Sequence, residues 1–256
     1  MRFEGMTVLI TGGSRGIGMS AARRFLAEGA SVAITGHDAV RMRRALELLD
    51  AGSRVVGTAA DISTVAGCRT AVDLALDSFG GLDVLFTNAG NYEASPIDEV
   101  TEDLWDRTVD THLKGTFFCV QAAAPALRSR RGVVVTMSSD AGLLGFRGGW
   151  AAYCAAMGGV VTLTRQLALD LAPDVRVNSV APGPVGTEHL LEDLRGAQYG
   201  GFEDTPDPVQ AVENTLPLRR LIAPEEVADA VVFVARAESM TGAILSLDAG
   251  TTIALP

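Results

Sequence analysis

The chain has 256 residues, 48% of them hydrophobic, and a formal net charge of -10. That length suits one α/β domain and that apolar content a large core, which excludes intrinsic disorder. The acidic balance argues against a nucleic-acid partner, whose phosphates it would repel, and no run reaches the roughly 20 apolar residues of a membrane span. The opening MRFEGMTVLI has no long apolar segment before a small-residue cleavage site, so the expected location is the cytoplasm. Cys68, Cys119 and Cys154 lack CxxC spacing and read as reduced thiols rather than a disulfide or a metal set. Lys114 is the one lysine; the other twenty of the 21 basic residues are arginines.

Thr7 to Thr11 reads as a short apolar strand, and TGGSRGIG follows at once. Ile17, Ala21 and Phe25 then recur every four residues, an amphipathic helix ending at Gly29. Strand, glycine turn and helix N-terminus make the setting in which backbone N–H groups approach a pyrophosphate. Local N–H groups of that kind outweigh an acidic global charge. The alternative reading of such a loop is a tight βα turn with no ligand. Ser31 to Thr35 is the second strand and Ala39 to Leu49 the following helix, with Gly36, His37 and Asp38 between them. Val55 to Ala59 is the third strand, followed by Asp61 and Ile62 and a helix from Val65 to Phe79. Val84 to Thr87 is the fourth strand, closing in Asn88-Ala89-Gly90.

Thr101 opens a long helix, with Glu102 and Asp103 in its first turn as the helix dipole prefers. It continues through TVDTHLKGTFFCVQAAAPAL. Val133 to Met137 is a fifth, buried strand ending in Ser138 and Ser139. A glycine-rich loop leads from there to Tyr153, which opens another helix. Tyr153 and Met157, four apart, share a face of that helix. Arg176 to Ala181 is the sixth strand, followed by Pro182-Gly183-Pro184-Val185-Gly186-Thr187. Residues 188–215 read as a long, acidic, irregular insertion, the expected lid over a substrate. A helix from Pro224 to about Ala237 and a seventh strand, Ile244 to Leu247, complete the chain, with Asp248-Ala249-Gly250 after them. Repeated strand-then-helix punctuation predicts one Rossmann-type, doubly wound domain over residues 1–256 with a seven-stranded parallel sheet.

Five motifs in this order resemble the short-chain dehydrogenase/reductase family: Gly-x-x-x-Gly-x-Gly at Gly12, Gly16 and Gly18; Asn88-Ala89-Gly90; Ser139; Tyr153; and the Pro182-Gly183 segment. The resemblance runs from Thr7 to Gly250. It implies that Gly12, Ser14, Arg15, Gly16, Ile17 and Gly18 receive a nicotinamide dinucleotide. It further implies that Asp61 and Ile62 lie beside the adenine, and that Asn88, Ala89 and Gly90 brace the central strands near the cofactor. Pro182, Gly183, Val185 and Thr187 would meet the nicotinamide end. No acid stands at the end of the second strand, where one would select NAD(H). Arg15 and His37 instead favour NADP(H) over NAD(H), the alternative being that both are solvated loop residues.

The expected catalytic set is Ser139, Tyr153 and His112, with no metal; Ser138 is the alternative to Ser139, and a buried histidine satisfied by backbone is the alternative reading of His112. In the family a Tyr-x-x-x-Lys lysine binds the nicotinamide ribose and lowers the tyrosine pKa; here that position is Met157. An Asn-Leu-x-Gly asparagine, whose main chain holds a relay water, is replaced by His112 in His112-Leu113-Lys114-Gly115. A thioether supplies neither charge nor a donor, whereas a histidine titrates near neutrality. The family usually uses the second serine of such a pair. Ser139 to Tyr153 spans one position more than is usual, the extra residue falling at Gly148-Gly149. The expectation is an NADP(H)-dependent oxidoreductase interconverting a carbonyl and an alcohol on a small-molecule substrate, with an altered proton relay. The alternatives are a non-redox cyclase, isomerase or dehydratase using the same groups, and a non-catalytic nucleotide-binding subunit. The resemblance also implies a homodimer or homotetramer, paired through the long helices that begin near Thr101 and Trp150.

Overall fold

The computed structural model describes residues 2–196 and 205–254. Seven strands form one all-parallel sheet: β1 (Thr7–Thr11), β2 (Ser31–Gly36), β3 (Val55–Ala59), β4 (Val84–Thr87), β5 (Val133–Met137), β6 (Arg176–Pro182) and β7 (Ile244–Leu247). Their spatial order is β3-β2-β1-β4-β5-β6-β7. This is the expected doubly wound fold. The connections are α1 (Gly16–Ala27), α2 (Ala39–Leu49), α3 (Val65–Phe79), α4 (Glu102–Val109), α5 (Gly115–Arg130), α6 (Ala151–Leu171), α7 (Glu188–Arg195), α8 (Pro208–Thr215) and α9 (Pro224–Arg236), with a last turn α10 (Thr251–Ala254).

Alternation along the strands divides the core in two. Val8, Ile10, Val32, Ile34, Val84 and Phe86 face the layer containing α1, α2 and α9. Leu9, Ala33, Leu85 and Val134 face the layer containing α3, α5 and α6. Because both faces are covered, the strands read as continuous apolar runs. Truncating fully buried Phe86 to alanine would cost about 3–5 kcal/mol.

Two elements differ from expectation. The stretch read as irregular over 188–215 holds α7 and α8. Thr187 caps α7 by accepting from Leu190 N at 3.2 Å, and Asp207 caps α8 by accepting from Gln210 N at 3.1 Å. Pro208 stands at the first turn of α8, where its missing N–H costs nothing. Leu190, Leu194 and Val212 tie these helices together in a small core of their own. The middle of the stretch, 197–204, lies outside the described residues. The second difference is in the long helix from Thr101, which has a single π turn at Asp110–Lys114 between α4 and α5.

The chain crosses from the β3 side to the β4 side of the sheet past β1, so the carboxyl ends of β1 and β4 form the switch point where a crevice opens. Asn88 closes its floor, donating from Nδ2 to Thr11 O at 3.0 Å and Gly12 O at 3.1 Å. Thr11 Oγ1 accepts in return from Asn88 N at 3.0 Å and Ala89 N at 3.1 Å.

Candidate active site

A cleft of about 1420 Å³ lies over the carboxyl ends of the strands. Its floor contains Gly12, Ser14, Arg15, Gly16 and Ile17 from the β1–α1 turn, His37 after β2, Asp61 and Ile62 after β3, and Asn88, Ala89 and Gly90 after β4. Pro182, Gly183, Val185 and Thr187 after β6 line it as well, and so do Ser139, Tyr153 and His112. Of the residues expected to hold a cofactor or act in catalysis, Gly18 alone lies off the wall. It sits beneath, where an added Cβ would meet Gly12 O at 2.3 Å, so it serves the packing of α1 on the turn.

Arg41 also lines the cleft, beside His37 and Arg15, and sequence reading missed it. Its signal was its place in the first turn of the helix after β2. Asp38, the nearby acid, is taken by α2: its Oδ1 accepts from Val40 N and Arg41 N, both at 2.8 Å, which holds its pKa below the usual carboxylate range. At the same end Thr35 Oγ1 is buried, lines the cleft and has no hydrogen-bond partner among the described residues.

The two serines at the end of β5 point to different places. Ser138 Oγ is 2.8 Å from Ser179 Oγ, inside the sheet. Ser139 Oγ faces the cleft, accepts from Ala141 N at 3.2 Å and donates to Asp140 Oδ1 at 2.9 Å. It also acts on the Tyr153 phenol, pulling its pKa down. Burial is the larger influence and Asp140 adds to it, so the phenol is pushed up to about 12 and stays protonated through the neutral range. The other group acting on it, Cys154, is not a cation either.

Met157 is fully buried and forms no part of the cleft wall. Lys114 is not on the cleft wall; its Nζ pairs at 3.0 Å with Oδ2 of Asp110, which is. Arg147 lines the cleft from the loop before α6. That loop turns at Gly148 and Gly149, both at positive φ, and a Cβ on Gly149 would strike Ser95 O at 2.5 Å. Both positions have a backbone that favours glycine.

The π turn delivers His112 into the cleft floor, over Gly90, where an added Cβ would come within 2.2 Å of its Cε1. Its Nε2 lies against the backbone N and O of Asn91. Burial pushes its pKa down to about 4, the Asn91 contact opposing this. His112 is therefore a neutral ring, packed edge-on against Tyr153 with centroids 5.4 Å apart. Above them the wall is aromatic. Trp150 lies 6.1 Å from Tyr153 and 6.4 Å from Tyr92, ring to ring, and His189 of α7 stacks on Tyr92 at 4.9 Å.

Among the described residues no group of three or more His, Cys, Asp or Glu side chains could hold a metal, and no helix is long and apolar enough to cross a membrane. The donor set suits a dinucleotide: glycine turn at a helix N-terminus, arginines by the second strand, an unpartnered threonine oxygen, and a hydroxyl pair at the far end.

A family model described as Enoyl-(Acyl carrier protein) reductase matches residues 12–252. The 2-(S)-hydroxypropyl-CoM dehydrogenase 3 of Xanthobacter autotrophicus is 36% identical over 257 residues, 98% of each chain. The cis-2,3-dihydrobiphenyl-2,3-diol dehydrogenase of Pseudomonas putida is 37% identical over 262 residues, covering 98% of this chain and 92% of that one. A crystal structure of a short-chain dehydrogenase/reductase, glucose/ribitol dehydrogenase, from Brucella melitensis superposes with a TM-score of 0.85 at 31% identity, covering 98% of both chains. A short-chain dehydrogenase/reductase of Serratia marcescens, solved as a double mutant, gives 0.88 at 31% identity, covering 98% of this chain and 100% of that one. Sheet order, the cleft with its Ser139–Tyr153 pair, and these similarities along nearly the whole length agree: the chain belongs to the short-chain dehydrogenase/reductase family of oxidoreductases.

Proposed function

We propose that the protein is an NADP(H)-dependent oxidoreductase that interconverts a carbonyl and an alcohol on a small, ring-bearing or otherwise apolar substrate, working with an altered proton relay. The observation that carries this reading is the cleft in which the glycine turn, the Pro182–Thr187 segment and the Ser139–Tyr153 pair converge. When bound, the nicotinamide would supply or accept the hydride. Gly12 to Ile17 would hold its pyrophosphate, and Arg15, Arg41 and His37 would meet the ribose phosphate. The aromatic wall of Tyr92, Trp150 and His189 favours a flat or apolar substrate. Two of the relatives named above are dehydrogenases of a substituted propyl alcohol and of a ring diol. The helix pair α7–α8 serves as the lid, its His189 and Leu190 on the cleft wall.

Tyr153 donates or takes the proton at the substrate oxygen, and Ser139 acts on the phenol beside it. The relay is altered because Met157 brings no cation to the phenol. A phenol at about 12 is a proton donor at neutral pH, so the resting enzyme is set for carbonyl reduction. The non-redox reading needs His112 to exchange a proton near neutrality, and a ring at about 4, held by Asn91, gives it no support. Calorimetric titration tests the cofactor: NADPH should bind more tightly than NADH, and Arg41→Ala should narrow the gap by about 10- to 100-fold, the worth of a hydrogen bond to a charged group. Equal affinities would overturn the preference. The exposed apolar side chains of Phe117 on α5 and Leu169 on α6 support pairing through these helices, as a homodimer or homotetramer.

A further inference from the structure

Asp140 is the least expected group in the cleft. It follows Ser139 directly, is only 5% exposed, and still reaches the cleft wall. Its Oδ1 accepts from Ser139 Oγ at 2.9 Å. Its Oδ2 is buried with no hydrogen-bond partner among the described residues. The carboxyl packs on the backbone after β6, so closely that a Cβ on Gly183 would lie 3.1 Å from Oδ2. An acid with one oxygen bonded to a hydroxyl and the other buried without a donor is poorly placed as an anion. The titratable groups acting with it are Asp248 beyond β7, and Tyr153 and Cys154 on α6. None of these is positive. Asp248 is held as an anion by Gly250 N at 3.0 Å and Thr252 N at 2.8 Å, and it opposes a second negative charge at Asp140.

We propose that Asp140 is the proton store behind the Ser139–Tyr153 pair, a positioning residue whose protonation turns the hydroxyl chain toward the substrate oxygen. The inference rests on the carbonyl–alcohol reading of the same site. With Asp140 protonated, its O–H donates to Ser139 Oγ, Ser139 donates to the Tyr153 oxygen, and the Tyr153 proton is left for the cleft. With Asp140 ionised, Ser139 donates to the carboxylate instead, and the chain runs backwards. During reduction the substrate oxygen takes the phenolic proton while its carbon takes the hydride, two electrons, of the proposed dihydronicotinamide. The phenolate takes the Ser139 proton and Ser139 takes the Asp140 proton. Asp140 is left as a carboxylate, which solvent in the cleft reprotonates. One proton moves from solvent to product, with no cation at position 157.

Burial pushes the Asp140 pKa up to about 6, against the pull of Ser139, so the chain should reverse across that pH. The test uses the whole protein labelled with 13C at the tyrosine Cζ. Tyr92, Tyr153 and Tyr199 give three signals, and Tyr153→Phe identifies the one that matters. Its shift should step with a midpoint near pH 6, the step should vanish in Asp140→Asn, and it should shrink in Ser139→Ala. A signal flat from pH 4.5 to 8, or a step that survives Asp140→Asn, overturns the proposal. Should Asp140→Asn not fold, the wild-type infrared spectrum decides: a protonated-carboxyl C=O band that disappears near pH 6 supports it, and no such band overturns it. On a carbonyl compound that the enzyme reduces, kcat should fall above pH 6. Asp140→Asn should lower kcat about 10- to 100-fold, flatten its pH profile and leave KM unchanged. The spectroscopic steps need no turnover, so failure of the hydride-transfer reading would show in the kinetics while leaving them intact.

Discussion

His112 and Tyr153 meet edge to face, at an interplanar angle of 79°, and both are neutral through the physiological range. The π turn puts the histidine there and α6 supplies the tyrosine. Their contact makes the floor of the cleft an uncharged, close-packed unit. That arrangement has a signature in the pH dependence of stability.

His112 falls from 6.5 to about 4 on folding, so between those values the unfolded chain binds one more proton and stability rises with pH. Asp140 rises from 3.8 to about 6, so over nearly the same window the folded chain binds one more proton and stability falls with pH. Each slope is worth on the order of 3 kcal/mol across its window, and in the wild type they oppose each other. Denaturant melts from pH 4 to 6.5 should therefore be nearly flat for the wild type. Asp140→Asn should gain stability with rising pH and His112→Asn should lose it. Parallel slopes in the two variants would show that at least one of the groups is not buried as described.

Met157→Lys should restore a cation one turn from Tyr153. A charge roughly 5 Å away at an effective dielectric of about 20 is worth about 3 kcal/mol, or some two pKa units. A cation favours tyrosinate, so the pH profile of alcohol oxidation should shift to lower pH. Met157 is fully buried and off the cleft wall, so the new charge should also cost a few kcal/mol of stability. A spectrophotometric titration of tyrosinate together with a thermal melt checks both. An unchanged Tyr153 titration would mean that the lysine cannot reach the cleft.

Light scattering at micromolar concentration should give a multiple of the protomer mass. Phe117→Glu with Leu169→Glu should return the protein to a single protomer, and a monomeric wild type would contradict the pairing.

The sheet was legible in the sequence because strands covered on both faces read as unbroken apolar runs, Val133 to Met137 above all. The cleft floor was legible because glycine turns fall at fixed places after β1, β4 and β6. Helices α7 and α8 were not. Their apolar residues, Leu190, Leu194 and Val212, are too few to outweigh the acidic and glycine-rich run around them. The π turn left no mark, since one extra residue per turn hardly disturbs a helix that is apolar on several sides. The sequence does mark Asp140: an acid between a buried strand and the apolar Ala141-Gly142-Leu143-Leu144 stands in poor company for a charge.

The proposed reaction is hydride transfer to a carbonyl with Met157, which carries no charge, four residues after Tyr153. Incubation with NADPH deuterated at its transferable position and a panel of cyclic and aryl ketones, followed by mass spectrometry of the products, tests it most directly. The expected product is an alcohol carrying one deuterium on the former carbonyl carbon, with none from the Tyr153→Phe variant. A protein that binds NADPH yet yields no deuterated alcohol, or that isomerises or dehydrates its substrate without consuming the label, would contradict it.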